Sequence, residues 1–201
     1  MNVIEFGRYW KGSGLENTPI HWLVLEETDE LLFVISEQAI GVGSFDFGQC
    51  NWANNTARTW LNHVFLQQAF SEAERAAILE KELITAIKPE PFWEGYRRPD
   101  EELVTKDRVF LLSQEEVLHF FPTQQSRVLP QDDADAGIAW WLRNSGLHLL
   151  SPMAVFADGN YGYWAETAVS ACGIRPAVYI RRDCFDRIPL EGQLELGSMD
   201  S

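Results

Sequence analysis

The chain has 201 residues, a length that a single domain around one hydrophobic core accommodates. Hydrophobic residues make up 46% of it and include eight tryptophans, which excludes an intrinsically disordered chain. Thirty acidic residues against 16 basic residues give a formal net charge of −14, which disfavours nucleic acids and anionic membranes as partners and favours solubility.

Targeting signals and disulfides are not indicated. The N-terminus has no basic segment followed by an apolar stretch, and no apolar run approaches the roughly 18 residues of a transmembrane helix. Cys50, Cys172 and Cys184 have neither paired nor metal-like spacing. We therefore expect a cytoplasmic protein with free thiols, although a chain whose native leader had been removed would show the same features.

The first third of the chain is predicted to form strands. Residues 6–10 are a short aromatic run, and residues 20–25 and 31–35 are apolar runs. The acidic residues 26–30 between the two apolar runs indicate a hairpin with a charged turn. Residues 39–48 contain glycines and aromatics without helical periodicity, so we predict a loop there.

A helix is predicted next, because apolar residues recur at helical spacing after a capping residue. Asn55 or Thr56 is the candidate N-cap. The shared face consists of Trp60, Leu61, Val64, Phe65 and Leu66.

Two capping boxes predict two further helices. In each, a serine at the N-cap is followed three residues later by a glutamate, as in Ser71 with Glu74 and Ser113 with Glu116. The first of these helices is expected to be short, and the second ends before Pro122.

The rest of the chain alternates between irregular and extended segments. Residues 83–87 and 108–112 are candidate strands, and the intervening residues 88–102 contain three prolines and dense charge, which indicates a surface excursion. Residues 124–137 are polar and predict a loop. Strands, then helices, then strands again indicate an α+β fold rather than alternating βαβ units.

The last part of the domain is bracketed by two strands. Residues 139–142 and 177–180 are predicted as strands that lie side by side and hold about thirty residues rich in glycine, asparagine, aspartate and aromatics. We assign residues 1–182 to a single domain and residues 183–201 to a polar C-terminal tail.

Eight short motifs follow one another along the chain: FGRYW, PIHWLVL, TWLN, FSE, VFLLSQEE, WWLR, DG and GIRPA. This series resembles a bacterial domain family of unknown function. Its C-terminal part is similar to the C-type-lectin-like fold of formylglycine-generating enzymes and of the variable proteins of diversity-generating retroelements. The resemblance implies short helices packed on antiparallel strands, paired N- and C-terminal strands, and a long irregular loop region on one face.

An exposed recognition surface is expected near residues 144–171. Its candidate ligand-binding side chains combine rigid aromatic contact area with adaptable hydrogen bonding: Asn144, His148, Asp158, Asn160, Tyr161, Tyr163, Trp164 and Glu166. In the retroelement proteins the varied positions occupy the equivalent stretch, as the resemblance implies. The alternative is that residues 158–163 form only a hairpin turn with aromatic flanks.

Four residues near the bracketing strands are predicted to be structural. Arg143 and Arg175 either clamp an anionic ligand group or pair internally with carboxylates and hold the intervening segment to the strands; we expect internal pairing. Trp140 and Trp141 must point to opposite faces of an extended segment, so we expect one in the core and the other on the far side.

No catalytic residue, metal or cofactor is predicted. The four histidines have no zinc-like spacing, and the aspartates before Gly137 lack the remaining ligands of a calcium loop. The tripeptides of calcium-dependent sugar-binding lectins are missing from the sequence. Cys172 and Cys184 occur late, as in formylglycine-generating enzymes, but their flanking residues do not match that family.

These expectations favour a non-catalytic domain that binds a protein or glycan ligand through the exposed face, with no cofactor, and leave its oligomeric state open. One alternative is a formylglycine-generating-type oxidase that uses cysteines. A second is an intracellular scaffold module whose contact surface is the acidic segment 90–102.

Overall fold

The computed structural model describes residues 1–10, 17–46, 51–87, 101–131, 134–145, 152–163 and 171–186. The strands in these ranges are β1 (Val3–Trp10), β2 (Asn17–Glu27), β3 (Leu31–Ser36), β4 (Gly41–Ser44), β5 (Lys81–Ile87), β6 (Glu101–Asp107), β7 (Leu129–Gln131), β8 (Ala134–Ile138), β9 (Trp140–Ser145), β10 (Pro152–Val155), β11 (Tyr161–Tyr163), β12 (Ala171–Ile174) and β13 (Ala177–Arg181). The helices are α1 (Thr56–Trp60), α2 (Leu66–Ala69), α3 (Glu72–Ala77), α4 (Gln114–Phe120), α5 (Gln124–Arg127) and α6 (Arg182–Phe185).

Short helical turns complete this list. A 3₁₀ turn, Trp52–Asn54, precedes α1, and a π-helical turn, Leu61–Phe65, joins α1 to α2. The structure therefore mixes short helices with several antiparallel sheets, as expected for the α+β class. None of the helices in the described ranges has the length and apolarity needed to span a bilayer.

A four-stranded antiparallel sheet has the order β1-β2-β3-β13. The register of β1 against β2 shifts between Glu5 and Arg8, where Gly7 adopts a φ of 71°. A Cβ at Gly7 would lie 2.6 Å from the Phe70 ring, so both the backbone angle and the packing require glycine. At this shift in register, the Gly7 N–H donates to Oε1 of Glu74, at 3.0 Å.

A five-stranded sheet has the order β11-β10-β9-β12-β4. Its strands pair antiparallel, except that β12 runs parallel to β9 at Gly173 and Trp140. The prediction of a loop at residues 39–48 was therefore wrong for the four residues of β4, which pair with β12. The four residues of β4 include two glycines, so the strand lacks the alternation of apolar and polar residues by which a strand is recognised in a sequence.

The ends of the domain are arranged differently from our expectation. The first and last strands, β1 and β13, share one sheet but lie at its opposite edges, with β2 and β3 between them. The bracketing strands 139–142 and 177–180 do not pair either, because β9 and β13 belong to different sheets. Arg175 and Pro176 carry the chain from one sheet to the other.

Local helix signals were confirmed where side chains bond to the backbone. Asn55 is the N-cap of α1, and both predicted capping boxes are present at the starts of α3 and α4. The segment 108–112 is not a strand: its residues 109–112 are fully buried, but only Phe110 forms a bridge, with Ala177. The predicted loop 124–137 instead contains α5, β7 and β8.

One hydrophobic core contains side chains from both larger sheets and from the helices. Its largest fully buried members in the described ranges include Trp22 of β2, Phe33 of β3, and Trp140 and Trp141 of β9. The core continues to α6, where Phe185 lies 6.0 Å from Phe6 between ring centroids. Residues 183–186, the expected start of the polar tail, thus belong to the described structure, and residues 187–201 lie outside it.

Candidate functional site

The hairpin between β10 and β11 holds three of the predicted ligand-binding residues at its exposed tip. Asp158, Asn160 and Tyr161 are exposed, with 37% of Tyr161 accessible. The two Asp158 carboxylate oxygens accept hydrogen bonds from the Asn160 N–H, at 2.9 Å, and from its Nδ2, at 2.7 Å. This side-chain turn fixes Asp158 and Asn160 relative to each other.

The helix α5 supports the tip from below. Nε2 of Gln124 donates to the Asp158 carbonyl at 2.9 Å, and Nε of Arg127 donates to the Gly159 carbonyl at 2.8 Å. Arg127 is buried and also donates to the carbonyls of Phe121 and Pro122. Because a buried guanidinium must be satisfied by fixed acceptors, this contact holds the tip in one position.

Gly159 makes the close approach possible. Its φ is +83°, and a Cβ there would lie 2.0 Å from the Gln124 carbonyl oxygen. The backbone of the tip therefore packs directly on α5 at a position that only glycine can occupy.

Aromatic side chains flank the tip on β11. The Arg127 guanidinium lies 5.3 Å from the centroid of the Tyr161 ring, a cation–π distance. Tyr163 is half-buried and stands opposite Met153 across the hairpin. The surface formed by Asp158, Asn160, Tyr161 and Tyr163 is called the hairpin surface below.

Asn144 does not belong to the hairpin surface, because it is fully buried. Its Oδ1 accepts from the Gln114 N–H at 2.7 Å, and its Nδ2 donates to the Ala86 carbonyl at 3.2 Å. The prediction of an exposed Asn144 was wrong, since this amide joins β9 to α4 and β5. The predicted residues His148, Trp164 and Glu166 lie outside the described residues.

Both tryptophans of β9 are fully buried, so neither offers an outward stacking platform. Nε1 of Trp140 donates to the Arg127 carbonyl at 3.2 Å, and Nε1 of Trp141 donates to the Gly43 carbonyl at 2.8 Å. The expectation that one of them faces outward fails because all six residues of β9 are buried.

Arg143 is also buried and turns its guanidinium inward. It pairs with both carboxylate oxygens of Glu116 and donates to Oγ1 of Thr85 and to the Leu111 carbonyl, each at 3.0 Å. These contacts connect β9 to α4 and β5 rather than to the segment between the bracketing strands. The guanidinium is thus engaged within the fold.

Arg175 occupies the junction between the two larger sheets. Its Nε donates to the Ser36 carbonyl at 2.8 Å, and its guanidinium lies 4.9 Å from the Trp140 ring and 5.2 Å from the Phe121 ring. Burial lowers its pKa to about 10, against the opposing effect of Glu37. In these contacts with described residues, the partners of Arg175 are carbonyls and rings, not the carboxylate that we expected.

Of the described cysteines, Cys172 is poorly suited to thiolate chemistry. Cys172 is buried in β12, and burial raises its pKa to about 12, so its thiol stays protonated at neutral pH. Cys184 is a free thiol on α6, whereas Cys172 belongs to the five-stranded sheet. Within the described ranges, no three histidine, cysteine or acidic side chains come together as a metal site would require.

The sequence did not reveal the support of the hairpin surface. Gln124 and Arg127 fell in a segment that we predicted to be a loop. The one local signal was Thr123, whose side chain caps α5 by accepting from the Ser126 N–H at 3.1 Å. Nothing in the linear pattern places α5 under a hairpin some thirty residues further along.

These features define a mixed α and β domain whose described surface carries a hairpin tip held from below by the buried Arg127. A family model described as "Domain of unknown function (DUF6273)" matches residues 21–182. The chain belongs to this family, as the motif series suggested at the level of a family of unknown function. No match was found among curated proteins or among solved structures.

Proposed function

We propose that this chain is a non-catalytic binding domain of C-type-lectin-like type that recognises a protein or glycan ligand through the hairpin surface. The proposal includes a cytoplasmic, bacterial protein related to the variable proteins of diversity-generating retroelements. The motif series supports the lectin-like assignment.

The observation that carries the proposal is the contrast between an exposed tip and its buried support. Asp158, Asn160 and Tyr161 are accessible, while Arg127 beneath them is 6% exposed and donates to three backbone carbonyls. Side chains on such a fixed backbone lose little conformational entropy when a ligand binds. Tyrosine and asparagine together are also typical of protein recognition surfaces.

The groups that form the turn can be distinguished from the groups that we propose contact a ligand. The hairpin turn depends on Gly159 and on the hydrogen bond that the Asn160 N–H donates to the Asp158 carboxylate. It does not need the exposed phenol ring of Tyr161, and the Asn160 amide only adds a second bond to a carboxylate that the Asn160 N–H already holds. Those two groups can therefore be removed while the turn is retained.

The experiment compares the wild-type chain with the double variant Asn160→Ala/Tyr161→Ala. Both are immobilised and exposed to a glycan array and, separately, to a lysate of the source cells with quantitative mass spectrometry. We expect at least one ligand that the wild type binds and the double variant loses by tenfold or more. The melting temperature should change little, because both residues are exposed.

Val42→Ala is the matched control, since Val42 is 60% exposed on β4 at the opposite edge of the five-stranded sheet. It should retain every ligand of the wild type. Equal binding by the wild type and the double variant would contradict the proposal, as would loss of the ligand with Val42→Ala.

A further inference from the structure

A second concave site lies at the other end of the five-stranded sheet from the hairpin surface. A cleft of about 240 Å³ opens where the β1–β2 hairpin meets the segment that links β3 to β4. Tyr9 and Trp10 line it from β1, Ile20 and His21 from β2, and Gln38 and Ile40 from the linking segment. The cleft thus lies between the sheet of β1 and β2 and the segment that leads to β4 in the other sheet.

Backbone hydrogen bonds hold the cleft open before any ligand arrives. The Glu37 N–H donates to the His21 carbonyl, and the Ile40 N–H donates to the Ile174 carbonyl, both at 2.9 Å. The Tyr9 ring packs edge-on against Phe65, with centroids 5.0 Å apart. One wall therefore belongs to the sheet of β1 and β2, the other is bonded to the strands by its backbone, and a ligand would not have to create the site.

The apolar part of the cleft suits a flat ring. Trp10 is 47% exposed, which is unusual because the other large aromatic side chains of the described residues are mostly buried. An exposed indole beside a concavity offers a face on which a planar ring can stack. Ile20 and Ile40 add aliphatic contact to the same cleft.

The polar part of the cleft selects against anions. Among the described residues that line it there is no lysine, arginine, aspartate or glutamate. At its edge, Nε2 and Nδ1 of His21 face Oε1 of Glu5 at 3.2 Å and Oε2 of Glu37 at 3.6 Å. Two carboxylates beside the cleft and a net charge of −14 repel an anionic ligand.

One polar group of the lining is left without a hydrogen bond among the described residues. Among the hydrogen bonds of the described residues, the half-buried amide of Gln38 takes part in none, whereas both nitrogens of His21 face carboxylates. A primary amide donates and accepts at once, so it matches a ring edge that carries both an acceptor and a donor. Heteroaromatic rings such as purines have that edge.

We propose that this cleft binds a small, uncharged, planar heteroaromatic ring of purine or indole size, stacked on Trp10 with its polar edge at the amide of Gln38. A volume of about 240 Å³ is smaller than that of a typical drug-sized pocket and fits one mono- or bicyclic ring. The site is independent of the hairpin surface, because β4 and β11 are opposite edges of the sheet.

The test uses ligand-observed saturation-transfer NMR on the full chain with adenine and indole as probes. Benzoate serves as an anionic ring, and methyl glucopyranoside as an uncharged ring that is not planar. We expect saturation transfer to adenine and indole only. Trp10→Ala should weaken both by about tenfold, as expected for the loss of one stacking platform.

Two further variants separate stacking from folding and from the hairpin. Trp10→Phe should restore most of the binding, because it keeps a ring at this position. Gln38→Leu should weaken adenine several-fold and leave indole nearly unchanged, because the amide pairs with the polar edge. Tyr161→Ala should bind both probes like the wild type, whatever the outcome for the proposed function.

Three results would overturn the inference. The first is no saturation transfer to either probe at millimolar concentration. The second is unchanged binding by Trp10→Ala with the wild-type melting curve. The third is binding of benzoate equal to that of indole, which would show that the carboxylates and the uncharged lining do not select the ligand.

Discussion

At the scale of single residues, Gly159 determines whether the hairpin tip can lie on α5. Gly159→Ala forces a side chain into the left-handed region and toward the Gln124 carbonyl, where a Cβ would lie at 2.0 Å. We expect a loss of about 2–4 kcal/mol in the free energy of unfolding, from backbone strain and displacement of the tip. Urea denaturation monitored by tryptophan fluorescence measures it.

Gly41→Ala is the control for that substitution. Gly41 has no positive φ, and a Cβ there would meet nothing within 4 Å. Its effect should stay within about 0.5 kcal/mol of the wild type. If both glycines tolerate alanine equally, the contact of the tip with α5 is looser than the structure indicates.

Burial is the property of single residues that the sequence predicted least well. Alternation along an extended segment correctly separates Trp140 from Trp141, but it does not say whether both faces of the sheet are covered. Asn144 looked like a surface residue because of its polarity, although its amide satisfies Gln114 and Ala86 in the interior. In each case the deciding partner is distant in sequence, so no local pattern reports it.

At the scale of elements, the capping boxes of α3 and α4 differ in their surroundings. Glu116 accepts from the Ser113 N–H at 2.8 Å and also pairs with the buried Arg143. Glu74 accepts from the Ser71 N–H at 2.7 Å and from the Gly7 N–H, without a buried cation. The two glutamates therefore allow the cost of an unpaired buried guanidinium to be separated from the cost of a lost cap.

We expect Glu116→Ala to lower the free energy of unfolding by about 3 kcal/mol, because it leaves Arg143 without its carboxylate. Glu74→Ala should cost about 1–2 kcal/mol, as expected for a lost cap and one additional backbone contact. Chemical denaturation of both variants gives the comparison. Equal losses would show that the pair with Arg143 contributes nothing beyond the cap.

Elements were predictable where the determinant is local. A capping box acts between residues three apart, so Ser71 and Ser113 indicated the starts of α3 and α4 directly. The strand β4 was missed because its partner β12 lies near the other end of the domain. The segment 108–112 shows the opposite error, since its apolar character reflects burial against the sheets and not membership of one.

At the scale of the whole molecule, the chain crosses from one larger sheet to the other at Arg175 and Pro176. Because of this crossing, the two bracketing strands that we predicted to lie side by side belong to different sheets. The crossing does not remove the hairpin surface, because β10 and β11 pair with each other and α5 holds their tip. The proposed binding role consequently rests on the hairpin and its support, and no longer on a frame of two paired strands.

The crossing also places a titratable, half-buried group of β13 against the core. Tyr179 stacks on Phe33, with ring centroids 4.2 Å apart. Burial raises its pKa from 10.0 to about 12, with smaller contributions from Glu116 and Glu26. Burial alone raises the pKa of Cys172 from 9.0 to about 12.

Both shifts make the unfolded chain release protons at a lower pH than the folded chain. Their contribution to stability is fully present below pH 9 and is lost as the pH rises toward about 12. We therefore expect the free energy of unfolding to fall between pH 9 and pH 11, first through Cys172 and then, above pH 10, also through Tyr179. Urea denaturation at each pH unit measures the slope.

Tyr179→Phe tests the contribution of the tyrosine, because it removes the ionisable hydroxyl and keeps the ring that stacks on Phe33. Between pH 10 and pH 11 this variant should lose less stability than the wild type, while the two differ little in slope below pH 9. Tyr161→Phe removes a hydroxyl from the exposed hairpin tip and should follow the wild type throughout. Parallel curves for all three proteins would contradict the prediction, because they would mean that the Tyr179 hydroxyl stays hydrated in the folded state.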